Sequence, residues 1–168
     1  MVVFIEFILL GKDGVERNVK MNADDPNEVY LWRTKCGDKT LKNPYWRRCA
    51  NNESHGYYQI SVGNKQYRNN RVCYYAHNPE WNIYDSSQNN SIDHIDRNRK
   101  NNHITNLRIA TQSQNQENTN AKGYSYHERE KRWVARVIKH GKLYSKYCKT
   151  EEEAIAARAE LKAKYHTF

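Results

Sequence analysis

The sequence contains no long apolar segment. Its mean hydropathy is −1.10, and its most apolar stretch, residues 1–10, is interrupted by Glu6. A helix that spans a bilayer needs about 20 consecutive apolar residues, so this stretch is too short to cross one. It also lacks the basic leader of a secretory signal, which favours a buried strand instead. We therefore expect a soluble, intracellular protein with no membrane partner.

Cysteine is scarce, and its spacing is not that of a metal site. The four cysteines are Cys36, Cys49, Cys73 and Cys148, and no two of them form a Cys-x-x-Cys pair. Structural zinc sites usually contain such pairs, so the spacing argues against structural zinc, although distant cysteines can still converge in space. Nothing indicates a secretory context for disulfides, so we expect reduced, mostly buried thiols.

Positive charge and aromatic side chains are abundant. Lys and Arg total 28 against 19 Asp and Glu, which gives a net charge of +9, and the chain has 13 Tyr and 4 Trp. A basic surface attracts polyanions, of which nucleic acid is the commonest. Aromatic rings interleaved with cations suit bases and sugar-phosphate chains, but they equally suit the cores of small sheets. The composition favours a nucleic-acid partner over an ordinary solvated basic surface without identifying a site.

The first third of the chain is predicted to be rich in strands. Residues 2–10 and 15–21 have the pattern of a hairpin joined by a glycine-containing turn. An acidic cap followed by proline at residues 24–26 predicts a short helix through Trp32. Residues 37–52 are predicted to be irregular and basic.

The middle of the chain alternates short strand and helix signals. Residues 57–62 and 65–68 predict a hairpin with a two-residue turn, and residues 71–77 predict a short helix ended by Pro79. Two further short strands are predicted at 91–95 and 107–109. A polar helix over 110–118 follows the second of them.

The densest polar motif runs from Asp93-His94 to Asn115. Adjacent side chains on a strand face opposite ways, so one of the first two residues can bind a metal while the other approaches the substrate. A hairpin folded onto a helix would bring both close to Asn115. Neutral imidazole suits a general base near pH 7, and Asp and Asn oxygens suit Mg²⁺. The alternative interpretation is that Asp-His opens a capped loop and the asparagines only form turns.

This motif resembles the HNH endonuclease family, especially its phage-encoded homing type. The resemblance is carried by Asp93-His94-Ile95-Asp96, Asn98, Asn101-Asn102, Asn106-Leu107-Arg108, Ala110-Thr111 and Asn115. It implies a ββα-metal fold and a set of roles: His94 as general base, Asp93 and Asn115 as ligands of one divalent metal, and Asn106 as the brace that orients the histidine. Many relatives have histidine where Asn115 stands, which favours Mg²⁺ or Mn²⁺ over a softer metal.

The C-terminal residues predict a separate module. Residues 123–148 have the pattern of three strands, and Thr150 with Glu153 forms the capping box of a helix over 151–165. An apolar stripe at helical spacing indicates that this helix covers the sheet face that carries Trp133.

The opposite face of that sheet is predicted to be exposed and basic. The side chains expected there are Arg132, Arg136, Lys142, Tyr144 and Lys146. A two- or three-stranded ribbon fits the major groove, where Arg and Lys meet phosphates and guanine edges. An ordinary solvated basic face is the alternative.

This module resembles the plant ethylene-response-factor DNA-binding domain. The resemblance is carried by residues 122–125, Trp133-Val134-Ala135, Gly141-Lys142, Tyr147 and residues 150–157. It implies DNA-facing positions at Tyr126, Arg136, Lys142 and Tyr144. Phage HNH endonucleases often carry such a domain at this place, so the two resemblances support each other.

Together these patterns predict an α+β protein in three parts. A β-rich region of uncertain role (1–56) precedes an HNH nuclease domain (57–120) and a DNA-binding domain of three strands and one helix (121–168). We expect a metal-dependent endonuclease of double-stranded DNA that leaves 5′-phosphate and 3′-hydroxyl ends, and one site per chain favours nicking. The alternatives are a non-catalytic DNA-binding protein with a degenerate nuclease fold, and a protein that binds or cuts RNA. The sequence shows no dimer interface.

Overall fold

The computed structural model describes residues 2–119, 121–139 and 141–166. The chain divides into two compact units, Met1–Ile109 and Ala110–Phe168. Its architecture is α+β, as predicted. Within the described ranges, no helix is both long and apolar enough to cross a membrane.

Four antiparallel strands form the first sheet, in the order β1-β2-β3-β4. They are β1 (Phe4–Leu10), β2 (Glu16–Asn22), β3 (Val29–Cys36) and β4 (Lys39–Arg48). The hairpin predicted for the first two strands is confirmed, with Phe4 opposite Asn22 and Leu10 opposite Glu16. One face of this sheet is apolar, and five of its residues are at most 3% exposed: Leu9, Val19, Met21, Val29 and Leu31.

The helix predicted over residues 24–32 is wrong, because β3 begins at Val29. Buried and half-buried residues alternate over its first four positions, which are Val, Tyr, Leu and Trp. Aromatic and β-branched residues at a period of two suit a pleated surface better than a helix. The acidic and proline residues belong instead to a turn, in which the Glu28 N–H donates to the Asp25 carbonyl at 2.9 Å.

The irregular segment predicted at residues 37–52 is also wrong, because residues 39–48 form β4. Proline usually argues against a strand, since it cannot donate to the ladder. Pro44 is tolerated here because β4 is the edge strand of its sheet, and one side of an edge strand needs no partner. The register shifts between Arg33 and Lys35 of β3, which marks a bulge or irregularity in the hairpin.

A smaller sheet and a helix follow the first sheet. Strands β5 (Asn52–Ser54), β6 (Tyr57–Val62) and β7 (Lys65–Arg68) lead into helix α1 (Asn69–His77). The predicted two-residue turn at Gly63 and Asn64 is confirmed, and both residues have positive φ, 53° and 62°. The predicted short helix is confirmed as α1.

The predicted strands around the polar motif are confirmed. Strands β8 (Ser91–His94) and β9 (Leu107–Ala110) pair, and a single 3-10 turn (Ile104–Asn106) precedes β9. The side chains of Ile92 and Leu107 belong to the same buried cluster as Leu9, Val19 and Val72. The first sheet, α1 and this hairpin therefore share one hydrophobic core and belong to the same unit.

The second unit begins with a short helix and continues with the predicted sheet-and-helix module. Its elements are α2 (Gln112–Glu117), β10 (Tyr124–His127), β11 (Arg132–Lys139), β12 (Lys142–Cys148) and α3 (Glu151–Tyr165). Ala135 and Cys148 of the sheet pack against Ala154 and Ala157 of α3, as predicted for the face that carries Trp133.

Both helices of the second unit are capped by threonine. Thr111 accepts from the Gln114 N–H at 3.2 Å, and the Gln114 side chain accepts from the Thr111 N–H in return. Thr150 likewise accepts from the Glu153 N–H at 3.2 Å. The Glu153 carboxylate, however, accepts from the N–H of Lys149 rather than from that of Thr150. The bond that Thr150 accepts therefore forms as predicted, and the return bond to Glu153 does not.

Candidate active site

Asp93 and His94 lie side by side at the end of β8, and each is only 4% exposed. The strand forms here because Ile92 packs into the core, which fixes the two polar residues that follow it. Helix α1 also holds the strand, since Asn70 donates to the Ile92 carbonyl at 3.3 Å. Buried polar groups are costly unless they are hydrogen-bonded, so their partners define the site.

Asp93 pairs with Arg108, on the neighbouring strand β9. The Nε and Nη2 atoms of Arg108 donate to Oδ2 of Asp93 at 3.0 and 2.9 Å. Charge-assisted bonds of this kind are stronger than neutral ones, and the guanidinium offsets the negative charge of a buried carboxylate. Sequence reasoning included Arg108 in the motif but gave it no role.

The His94 ring forms a hydrogen bond with the side chain of Asn102. The two side chains meet between His94 Nε2 and Asn102 Oδ1 at 3.0 Å, and Asn102 is 2% exposed. Because a carbonyl oxygen accepts, Nε2 carries the proton in this contact and the lone pair of the neutral ring lies on Nδ1. A neutral imidazole in this tautomer has the chemistry of a general base.

Asn106, the predicted brace, holds the loop that follows β8. Its Oδ1 accepts from the Asp96 N–H at 3.0 Å, while its Nδ2 donates to Asp96 Oδ1 at 2.9 Å and to the Asn101 carbonyl at 2.8 Å. Its own carbonyl accepts from the Ile95 N–H at 2.9 Å. Asn106 therefore ties both ends of the loop next to His94. Its effect on the histidine is transmitted through this backbone, and its role in catalysis stays a prediction.

Asp96 is the acidic centre of the same loop. Burial pushes its pKa upward, but hydrogen bonds from the Asn101 side chain, the Asn98 N–H and the Asn106 side chain outweigh this and hold the pKa below its usual value. The carboxylate stays ionised at neutral pH, so it accepts bonds from three parts of the loop.

Two arginines surround an aromatic ring beside His94. The ring of Tyr57 lies 5.8 Å from the His94 ring, centroid to centroid. The guanidinium carbons of Arg68 and Arg99 lie 4.7 and 4.9 Å from the centroid of Tyr57, and Arg99 donates to the His55 carbonyl at 3.1 Å. Stacking on the ring holds these two exposed cations close to the histidine. Neither arginine was selected from the sequence: Arg68 and Tyr57 lie far from the motif along the chain, and Arg99 lies within the motif but was given no role.

Asn115, the predicted second metal ligand, lies on α2 in the second unit. Its N–H donates to the Thr111 carbonyl at 2.9 Å, as expected for the first turn of a helix. Its ligation of a metal stays a prediction.

The predicted basic face of the second unit needs a correction. Lys142 lies opposite Lys139, Tyr144 opposite Val137, and Lys146 opposite Ala135. Directly opposed residues share a face, so these three side chains lie on the α3 side of the sheet. Tyr144 stacks on Tyr165 of α3 with 3.8 Å between centroids, and Lys146 Nζ contacts Glu160 of α3 at 2.7 Å.

Tyr126 is on the α3 side as well, because it lies opposite Trp133 with 5.6 Å between the rings. Of the six residues predicted to face DNA, only Arg132 and Arg136 lie on the other face. Exposed apolar side chains share that face with them: Ile138, Leu143 and Tyr147, which are 63%, 55% and 52% exposed. The face is less uniformly basic than predicted.

Three of the four cysteines are buried, and all four are free thiols, as expected. Burial raises the pKa of Cys73 to about 12 and that of Cys49 above its usual value. Such thiols stay protonated at neutral pH and behave as small apolar side chains.

Comparison with known proteins agrees with the motif. Residues 70–117, less than a third of the chain, match a family model described as HNH endonuclease. The matched region begins in α1 and contains β8, β9 and α2, and with them Asp93, His94, Asn106 and Asn115. No curated protein and no solved structure matches the chain. The family match supports a nuclease, at the level of the family.

Proposed function

We propose that this protein is a metal-dependent endonuclease that hydrolyses phosphodiester bonds in double-stranded DNA. The observation that carries the proposal is the buried pair Asp93 and His94, with partners Arg108 and Asn102, inside the region that matches HNH endonucleases. Burial of two ionisable side chains at a strand end has a stability cost, which fits a functional site better than a turn.

His94 is the general base in this proposal. With Nε2 donating to Asn102, the lone pair of Nδ1 takes a proton from water as the water oxygen attacks phosphorus. The resulting imidazolium keeps its Nε2 hydrogen bond to the Asn102 oxygen, which favours the charged ring. The bond between phosphorus and the 3′ oxygen then breaks, the leaving oxygen takes a proton from solvent, and the products carry 5′-phosphate and 3′-hydroxyl ends.

The donor set fits a hard divalent cation. Asp93 offers a carboxylate whose position is fixed by Arg108, and Asn115 offers an amide oxygen; both are ligands that Mg²⁺ and Mn²⁺ accept. When bound, the cation would screen the negative charge of the phosphate and of the leaving oxygen. Arg108 neutralises the same carboxylate, so it would lower the charge that attracts the cation while keeping Asp93 in place.

We include in the proposal that two cations of the first unit contact the substrate backbone. Arg68 and Arg99 are exposed beside Tyr57, close to His94, and have the charge to bind phosphates near the scissile bond. In the second unit, Arg132 and Arg136 lie on the face away from α3, and the DNA contacts expected of the other four sheet residues, Tyr126, Lys142, Tyr144 and Lys146, stay predictions. We include in the proposal that the second unit contributes to binding and that a single site nicks one strand, in the manner of a homing-type enzyme.

Plasmid cleavage tests this function directly. Supercoiled DNA is incubated with the full chain and Mg²⁺, Mn²⁺ or EDTA, and nicked and linear products are separated. We expect nicking with metal and none with EDTA. His94→Ala should abolish cleavage while DNA binding persists, and His103→Ala is the matched control, because His103 lies in the same region and is exposed.

Three results would count against the proposal. Cleavage by His94→Ala at the wild-type rate would remove His94 as the base. Binding without cleavage across all metals would favour the non-catalytic DNA-binding protein. Preferential cleavage or binding of structured RNA in a competition assay would favour the RNA alternative.

A further inference from the structure

A chain of asparagine side chains leads from His94 to the first sheet. Asn102, which contacts His94, donates through Nδ2 to Oδ1 of Asn27 at 2.8 Å. Asn27 lies in the connection between β2 and β3, which is 75 residues from Asn102 in sequence and outside the region that matches HNH endonucleases. This contact joins the candidate base to a part of the chain that had no assigned role.

The direction of an amide is defined when one of its atoms meets a backbone carbonyl, because a carbonyl can only accept. Asn27 Nδ2 donates to the Lys100 carbonyl at 3.4 Å. This contact places the Asn27 nitrogen toward Lys100 and leaves its oxygen, Oδ1, facing Asn102.

A second carbonyl leads to the same orientation by another route. Asn51 Nδ2 donates to the backbone carbonyl of Asn27 at 2.6 Å, so its Oδ1 accepts from Asn69 Nδ2 at 3.1 Å. Asn69, which is fully buried, then presents the same Nδ2 to Asn27 Oδ1 at 3.4 Å. Both routes require Asn27 Oδ1 to be an acceptor.

We propose that Asn27 is a positioning residue that selects the tautomer of His94 through Asn102. With Asn27 Oδ1 as acceptor, Asn102 presents its nitrogen to Asn27 and its oxygen to His94 Nε2. Nε2 must then carry the proton, and Nδ1 keeps the lone pair. Asn102 and His94 are almost completely buried, so water does not readily substitute for the missing partner if the chain is broken. The catalytic consequence rests on the proposed function, but the tautomer does not.

The consequence of losing Asn27 follows from the symmetry of an amide. Without the Asn27 oxygen, Asn102 can rotate by half a turn and present its nitrogen to His94, which would place the ring proton on Nδ1. That tautomer has no lone pair at Nδ1 to accept the proton of water. Removal of a partner that orients a catalytic or metal-binding histidine typically costs about 10-fold to 100-fold, and we expect the lower end because two amides separate Asn27 from the reaction.

Nitrogen NMR of the full chain tests the proposal without requiring cleavage. Protein labelled with ¹⁵N-histidine is measured in EDTA at a pH where His94 is neutral, and the His94 signals are assigned by their loss in His94→Gln. We expect one tautomer, protonated at Nε2, in the wild type and a mixture with the Nδ1-protonated form in Asn27→Ala. Asn27→Asp should keep the wild-type tautomer, since a carboxylate accepts from Asn102. The matched control is Asn18→Ala, an exposed asparagine of β2.

A rescue variant separates tautomer selection from simple packing. Asn102→Asp in the Asn27→Ala background places an obligate acceptor at Nε2, so it should restore the single tautomer and most of any lost cleavage rate. If Asn27→Ala does not fold, Asn27→Asp and the double variant still test the proposal. An unchanged tautomer in folded Asn27→Ala would overturn it, and so would a mixture that the double variant fails to correct. If the wild type does not cleave DNA at all, the proposed function fails, whereas the NMR result still decides the role of Asn27.

Discussion

Arg108 and Asp93 form the most informative pair for a stability measurement. The Asp93 side chain is 4% exposed and that of Arg108 is 30% exposed. If the arginine is removed, the carboxylate stays buried but loses the cation that offsets its charge. Breaking a fully buried pair costs about 3–5 kcal/mol, and the partial exposure of Arg108 reduces this because solvent screens the charge. We expect Arg108→Ala to lower the free energy of unfolding by about 2 kcal/mol.

The two members of the pair should differ in their effect on stability, and this difference is a sharper test than the free energy lost in one variant. Asp93→Asn leaves the arginine, which already reaches solvent, so it should cost about 1 kcal/mol or less. In an Arg108→Ala background the same change removes a buried negative charge that has lost this cation, so the double variant should be more stable than Arg108→Ala alone. Urea unfolding of the four proteins at pH 7, followed by circular dichroism, gives the coupling free energy of this cycle.

The matched control is Arg99→Ala, an exposed arginine of the loop after β8, which should change stability by no more than about 0.5 kcal/mol. Equal stability of Arg108→Ala and wild type would refute the argument. The same applies if Asp93→Asn does not recover stability when it is added to Arg108→Ala, because the loss of stability would then not come from separating the buried carboxylate from this arginine.

The remaining predictions concern DNA affinity and the second unit. Arg99→Ala should weaken DNA binding and, if Arg99 contacts one phosphate, reduce the salt slope of log K by about 1, as measured by fluorescence anisotropy at several salt concentrations; an unchanged slope would place Arg99 away from the backbone. Gly123→Ala should lower the thermal stability of the second unit, because Gly123 has φ +67° and an added Cβ would lie 2.0 Å from Arg158 Nε. Gly141→Ala, with φ +74° and open space around it, is the control for the backbone conformation alone, and equal losses in the two variants would contradict a steric role of Arg158.

The alternation of side chains between two faces could be predicted for each strand by itself. Which faces of two neighbouring strands coincide depends on their register, and the register was not known. The prediction placed Lys142, Tyr144 and Lys146 on the face opposite Trp133. Lys139 lies opposite Lys142, so the even-numbered residues of β12 share a face with the odd-numbered residues of β11. His140 lies outside the described residues, but the pairing of Lys139 with Lys142 settles the faces. Only two residues separate these lysines in the sequence, and this even number was a signal that would have prevented the error.

Local signals misled in the first sheet for a different reason. The acidic residues and proline at 24–26 are as common in turns as at helix starts, and only the partner strand decides between them. Residues 29–32 pair with β2 and β4, and this tertiary context overrides the helix signal. An edge strand that contains Pro44 likewise cannot be recognised until its position in the sheet is known.

The candidate site shows the same division between local and distant information. Asp93 and His94 are adjacent in sequence, so their pairing on one strand was predictable, and Asn106 and Arg108 lie within the same motif. The partner that orients Asn102 was not predictable, because Asn27 belongs to another element and asparagine in a turn has an ordinary structural explanation. In the proposed function the recognisable motif supplies the reacting groups, while the hydrogen bond that orients Asn102 comes from the connection between two strands of the first sheet. Since Ile92 and Leu107 share a core with Leu9 and Val19, the geometry of this site depends on residues that no motif would assign to it.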